Sequence, residues 1–82
     1  MDFTRATELT DEVAAEVDDC FKYHQWTDSQ VEAGERVRAA LGAAVKVIIA
    51  NAPPCPDRSH AIRLCRDARM WGNAAITSHG KY

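Results

Sequence analysis

Two adjacent apolar stripes lie on the segment from residue 61 to residue 76, and they constrain the fold more than any other feature. The first stripe consists of Leu64, Ala68, Trp71 and Ala75, and the second of Ala61, Cys65, Ala68, Gly72 and Ile76. Spacings of three and four place each stripe on one side of a helix. Together the stripes form an apolar face that is wider than one neighbouring helix covers. We therefore expect a second helix on one stripe and something else on the other.

The second helix is predicted directly upstream. Thr27 and Gln30 have the spacing of a capping box, in which each side chain bonds the other residue's backbone N–H. Apolar or small residues then recur every three or four positions as far as Asn51, and two prolines at 53–54 end the helix. Two long helices joined by a short proline-rich turn predict an antiparallel hairpin in an all-α protein.

The remaining boundaries follow from caps and stop signals. Thr10 is a hydroxyl cap followed by two acids, and it predicts a short N-terminal helix within residues 7–20. An aromatic connector is expected at 21–26 and the hairpin at 27–79, all within a single domain. Asp57 is expected to cap the last helix, which should run to about Thr77 before Gly80.

The chain is short for a stable single core. It has 82 residues, and domains of this size usually need disulfides, a metal or self-association. Its three cysteines, an odd number without a preceding signal peptide, favour free thiols in a reducing, cytoplasmic compartment. No apolar run approaches the roughly 20 residues that a membrane span needs. We therefore expect a homo-oligomer that does not enter a membrane.

The net charge of −2 conceals an uneven distribution of charge. Residues 1–35 carry ten acids and two bases, whereas residues 36–82 carry two acids and eight bases. An acidic N-terminal arm can therefore pack against a basic body, in its own chain or in a neighbouring one.

Several function classes find little support in the sequence. No glycine-rich phosphate loop and no pair of a nucleophile and a base is present, so catalysis is not predicted. Cys55, His60 and Cys65 do not have the spacing of a metal site and lack a fourth ligand. Long helices in an acidic chain also argue against a DNA-binding helix-turn-helix.

The order and spacing of several motifs resemble those of a known family. These motifs are Tyr23-His24, a long helix containing Arg38, a proline-rich turn, Asp57-Arg58-Ser59, and the segment Met70-Trp71-Gly72-Asn73-Ala74-Ala75-Ile76. They resemble the hairpin domain of the phage anti-CBASS and anti-Thoeris sponge proteins over roughly residues 21–77. The chain departs from the family pattern where Gln25 and Trp26 replace a proline, and where Ser78 and His79 replace a basic residue.

The resemblance implies a symmetric homo-oligomer, commonly a hexamer, that sequesters cyclic oligonucleotide or cyclic ADP-ribose-type immune messengers. Such proteins hold the ligand between protomers, need no cofactor, and act in the host bacterial cytoplasm when they are phage-encoded. By position, Tyr23 matches the aromatic residue that stacks on a base, and Arg38 matches a basic residue that faces the phosphates. His24 and Trp26 flank Tyr23 and complete the predicted ligand site.

Each of these residues also has a structural interpretation. Tyr23, His24 and Trp26 could instead form a hydrophobic latch that holds the N-terminal helix. Arg38 could pair with Glu35, three residues away.

Four residues of the family segment are predicted to lie in the core or at a protomer interface: Met70, Trp71, Asn73 and Ile76. The amide of Asn73 would need a partner there if it were buried. The alternative to a sponge is a helical self-assembly or protein-interaction module that binds no small ligand.

Overall fold

The computed structural model describes residues 3–81 and is helical throughout, with no strand in that range. A 3-10 turn spans Phe3–Arg5, and three α-helices follow: α1 (Asp11–Phe21), α2 (Asp28–Asn51) and α3 (Pro56–Ser78). The all-α prediction is confirmed. The first helix begins directly after its predicted cap, Thr10, which accepts the N–H of Val13 at 3.2 Å, and it ends at Phe21, the first residue of the predicted connector.

The capping box at the start of α2 is present in both directions. The Gln30 N–H donates to Thr27 Oγ1 at 3.3 Å, and the Thr27 N–H donates to Gln30 Oε1 at 2.9 Å. Two N–H groups that the first turn of a helix leaves without a partner are thereby satisfied. The helix ends at Asn51, directly before the proline-rich turn, as predicted.

The start of α3 differs from the prediction, whereas its end agrees with it. Cys55 occupies the cap position instead of Asp57, and the helix begins at Pro56. A proline suits this position because its ring fixes the helical φ and it has no N–H to satisfy. At the other end, His79 has a left-handed φ of 55° and Gly80 a φ of 74°, and their N–H groups bond the last carbonyls of the helix.

Helices α2 and α3 lie along each other in a hairpin-like pair. At the open end, the Gln30 Nε2 donates to the Ile76 carbonyl at 2.9 Å, so the start of α2 is bonded to the end of α3. At the turn, the Arg58 Nη1 donates to the Ala52 carbonyl at 3.3 Å. Hydrogen bonds thus join the two helices at both ends.

The two stripes of α3 have different environments. The stripe that contains Gly72 and Ile76 is half-buried towards α2, and Gly72 lies opposite Val37. We call the other stripe, Leu64, Ala68, Trp71 and Ala75, the open α3 face, because all four residues are exposed. Trp71 is 74% exposed and is not part of a core within the chain. The structure thus shows α2 covering one stripe and leaves the other uncovered.

The chain buries little apolar surface on its own. Its dimensions are 52 × 32 × 16 Å, and its radius of gyration is 17.0 Å, compared with about 12 Å for a compact domain of this length. The accessible surface is 6695 Å², compared with about 4,900 Å² for a typical monomer of 9.1 kDa. An excess of about 1,800 Å² follows from that size relation. Within residues 3–81, no helix has both the length and the apolar content that a bilayer crossing requires.

Candidate functional site

The predicted ligand residues of the connector lie between α1 and α2, and they have different surroundings. Tyr23 is 85% exposed, so its ring is free to contact another molecule. His24 is half-buried, and its Nε2 lies 2.9 Å from the Asp19 carbonyl in the last turn of α1. Lys81 also contacts Asp19, with its Nζ 2.9 Å from Oδ2. The end of α1 is therefore attached to the connector and to the C-terminal turn.

Trp26 is folded inward and interlocks with both long helices. Its ring lies over Gly34, where an added methyl group would come within 2.8 Å of the indole Cη2. Its Nε1 donates to Thr77 Oγ1 at 2.6 Å, and the Thr77 hydroxyl donates to the Asn73 carbonyl at 2.9 Å. The ring is thus used in holding the connector against α2 and α3. The latch interpretation fits Trp26, although the latch holds the helix pair rather than α1.

A groove of about 670 Å³ lies between the end of α1 and the last turns of α3. Residues that line it include Trp71, Ala75, His24, His79 and Lys81. Hydrogen bonds join the residues of its polar wall. Gln30 Nε2 lies 3.3 Å from His79 Nε2 and also donates to the Ile76 carbonyl of α3. The groove brings together His24 and Trp71, two residues singled out from the sequence. Neither Tyr23 nor Arg38 lines it.

Arg38 lies on an outward surface of α2 and forms the alternative contact predicted for it, an ion pair with Glu35. Its side chain is nevertheless 60% exposed. Helical spacing places it on one face with Val31, Gly42 and Ile49, all exposed, and we call these four residues the open α2 face. Arg38 is the charged residue among these four, and two further exposed charges, Glu35 and Lys46, lie at the edge of the face.

The remaining predicted interface residues are divided among three environments. Met70 is exposed and lies in a cleft beside Arg63 and Arg66. Ile76 is half-buried towards α2, and its carbonyl accepts the bond from Gln30. Asn73 is also half-buried, but no hydrogen bond joins its amide side chain to another of residues 3–81.

Sequence reasoning missed Gln30, His79 and Lys81 as parts of the groove wall. Gln30 was assigned only to the capping box, yet its amide nitrogen also reaches α3. His79 and Lys81 follow the last helix, where helical periodicity no longer reports position. A left-handed turn at His79 and Gly80 brings Lys81 back towards α1, and no sequence signal except Gly80 indicates it.

The described residues, 3–81, contain no candidate metal site. No group of three or more histidine, cysteine, aspartate or glutamate side chains in residues 3–81 is arranged to hold an ion. All three cysteines are free thiols, with Cys55 exposed in the turn and Cys65 half-buried. Comparison with known protein families, with curated proteins and with solved structures finds no match to this chain.

Proposed function

We propose that the chain is the protomer of a symmetric homo-oligomer, larger than a dimer, that sequesters a cyclic oligonucleotide or cyclic ADP-ribose-type messenger without cleaving it. In this proposal the α2–α3 pair is an antiparallel hairpin whose open faces are covered by neighbouring copies. The observation that carries the proposal is the position of Arg38. It is a planar cation within the open α2 face, which its own chain leaves exposed.

The exposed area supports self-association, and its division between two faces, one on α2 and one on α3, favours more than two copies over one large dimer interface. A standard protein interface buries about 800 Å² on each partner. The excess surface of about 1,800 Å², by the size relation for monomers, corresponds to about two such contacts per chain. Two contacts on each copy generate a closed ring or a higher symmetric assembly, whereas a dimer needs only one.

The exposed side chains suit an anionic ligand with flat bases. Cyclic oligonucleotides combine π-faces with phosphodiesters, so their capture needs an aromatic surface and a fixed cation. Tyr23 offers an uncovered ring, and Arg38 offers a guanidinium fork. Arg38 lies ten residues after Asp28, about 15 Å along the axis of α2. A pocket between protomers would bring Tyr23 of one copy towards Arg38 of another.

One observation favours the alternative, an assembly module that binds no small ligand. Arg38 already has a partner in Glu35, so its charge is balanced without a phosphate. Exposed pairs of this kind contribute only about 0.2–1 kcal/mol, however, and a phosphate could displace the glutamate at little cost.

Native mass spectrometry tests assembly and ligand together. The protein is measured alone and with a panel of cyclic dinucleotides, cyclic trinucleotides and cyclic ADP-ribose isomers. We expect a mass above twice 9.1 kDa and an added mass equal to that of an intact ligand. Ligand released by heat is then identified by chromatography. A linear product would show that the protein is an enzyme. If no ligand of the panel binds, the sequestering function is excluded for these ligands and the assembly module is the function that remains.

Matched variants separate the two roles of Arg38. Tyr23→Ala and Arg38→Ala should each weaken ligand binding about tenfold or more, roughly 1.4 kcal/mol, with the oligomer intact. Glu35→Gln is the control, because it removes the ion pair but keeps the guanidinium. It should bind ligand at least as tightly as the unmodified protein. Equal loss of assembly in Glu35→Gln and Arg38→Ala would instead assign Arg38 a structural role.

A further inference from the structure

Helix α1 has a strongly acidic outward surface. Asp11, Glu12 and Asp18 are exposed, and α1 contains no basic residue. Helical spacing places Asp11 and Asp18 on one side of α1, away from Val13 and Val17, and Glu12 about 100° around the helix from Asp11. We call these three residues the acidic α1 face. Val13 is buried and these three acids are exposed, whereas Glu16 and Asp19, the other acids of the helix, are half-buried.

Helix α3 has a complementary basic surface. Arg63, Arg66 and Arg69 are exposed, and no ion pair joins any of them to another of residues 3–81. Arg63 and Arg66 line a cleft of about 300 Å³ together with Met70 and one acid, Asp67, so the surface is basic by three charges to one. We call the three arginines and Met70 the basic α3 stripe. Helical spacing places Arg63 about 80° and Met70 about 100° away from Trp71, so the stripe lies beside the open α3 face rather than on it.

The two surfaces do not meet within the chain. α1 is attached through Asp19, in its last turn, to His24 and Lys81 near the end of α3. Arg63 lies 15 residues before the end of α3 at Ser78, about 22 Å along the helix. Both surfaces therefore stay available while the attachment of α1 to its own chain is kept.

We infer that the acidic α1 face of one copy docks on the basic α3 stripe of a second copy. The surfaces match in charge and length: Asp11 and Asp18 are about 10 Å apart along α1, and Arg63 and Arg69 about 9 Å apart along α3. The inference rests on the proposed assembly and identifies one of its contacts. A contact between two different surfaces is either reciprocal, in a two-fold dimer, or head-to-tail, and an assembly larger than a dimer requires the head-to-tail form with a rotation that closes into a ring.

Two charge-reversed variants of the full chain test this contact. One carries Asp11→Lys, Glu12→Lys and Asp18→Lys, and the other carries Arg63→Glu, Arg66→Glu and Arg69→Glu. Each variant alone places like charges on both surfaces, so its assembly should weaken about tenfold or more. When the two are mixed in equal amounts, each acidic surface meets a basic one on the other variant. Assembly should then be restored, with both variants in every particle by native mass spectrometry.

Mixing separates docking between copies from docking within a chain. If α1 folded onto its own α3, both variants would stay impaired after mixing, and the inference would be overturned. The same conclusion would follow if both variants assembled normally on their own. If they assembled normally but lost cyclic nucleotide binding, the stripe would hold an anionic ligand instead of α1.

Controls distinguish this contact from a general charge effect and from the proposed ligand. Arg36→Glu with Lys46→Glu changes exposed bases of α2 outside the stripe and should not be rescued by the α1 variant. Circular dichroism of each variant shows whether helix content is retained. If mixing restores assembly but no ligand binds, the contact stands and the sequestering function fails. If ligand binds but mixing does not restore assembly, the sequestering function stands and the contact between α1 and α3 fails.

Discussion

Two regions of the helix pair are built differently. One is the connector end, where the connector folds back onto α2 and α3, and the other is the open faces of these two helices. At the connector end, the ring of Trp26 fits over Gly34, and hydrogen bonds from Trp26 and Gln30 reach the last turns of α3. On the open faces, large apolar side chains such as Trp71 point away from the chain. The first region is completed by the chain itself, and the second is not.

This difference shows how a chain with so little core can still specify a register. The bonds between residues 26–30 and residues 76–77 join segments far apart in sequence, and only one alignment of α2 and α3 makes all of them. Most of the remaining apolar area contributes to stability only when it is covered. Alignment is therefore set within the chain, whereas the open faces would add to stability only in an assembly that covers them.

Trp71→Ala tests the open α3 face and should have the largest effect. An indole at the centre of an interface contributes about 2–4 kcal/mol, which corresponds to roughly 30- to 1,000-fold in association. Because the single chain buries little surface, the melting temperature of the unmodified protein should rise with concentration, and the variant should melt lower. Sedimentation and circular dichroism measure both quantities. Leu9→Ala, exposed but outside the three helices, is the control. Unchanged assembly and melting in Trp71→Ala would mean that solvent covers this face.

Gly34→Ala and Gly42→Ala sharpen the comparison, because the same change is made in each region. A methyl group at Gly34 would overlap the Trp26 ring, whereas nothing lies within 4 Å of one at Gly42. We expect Gly34→Ala to destabilise by about 1–3 kcal/mol through overpacking. Gly42→Ala should stabilise by about 0.5–1 kcal/mol, since alanine favours a helix more than glycine does. Urea unfolding measures both at one protein concentration, low enough to keep the chain unassembled, because a neighbouring copy on the open α2 face would otherwise meet the new methyl group. If both substitutions changed the free energy of unfolding in the same direction, the distinction between a packed connector end and an open α2 face would be contradicted.

The elements of this fold are predictable from local sequence. The capping box at Thr27, the end of α2 at Asn51 and the stop around Gly80 all depend on residues within one helical turn. The width of the apolar surface on residues 61–76 also predicted a stripe that α2 would leave uncovered. The prediction that Asp57 caps α3 was wrong, because Pro56 has a helical φ and the helix begins there, one residue earlier.

The candidate site is less predictable because its parts come from distant segments. Nothing near Gln30 in the sequence indicates that its amide reaches the end of α3, 46 residues later. The fit of Trp26 over Gly34 likewise depends on the connector folding back over α2. Sequence patterns identified Trp26 as a residue of interest but did not distinguish a latch from a stacking platform. That distinction comes from its partners in space.

Thr77→Val tests the smallest element of the connector end, the hydrogen bond of the Trp26 indole. Valine has nearly the shape of threonine and keeps the β-branch, so the volume at this position changes little. The substitution removes the acceptor of the Trp26 N–H, 2.6 Å away. The lost bond from Thr77 to the Asn73 carbonyl should matter less, because a hydroxyl that bonds back along a helix contributes little to helix stability. A half-buried donor without a partner should then cost about 1 kcal/mol.

The measurement uses a Trp71→Phe background, in which Trp26 is the remaining indole. Thr77→Val should lower the urea midpoint and shift Trp26 emission towards longer wavelengths, because an indole that loses its acceptor turns towards water. Thr77→Ser is the control, because it keeps the hydroxyl that accepts the Trp26 N–H while still changing the side chain at this position. If valine and serine behave alike, the hydrogen bond contributes nothing and the ring is held by Gly34 alone. Since Tyr23 is three residues from Trp26, a loosened indole should also weaken ligand capture, by less than the tenfold expected for Tyr23→Ala.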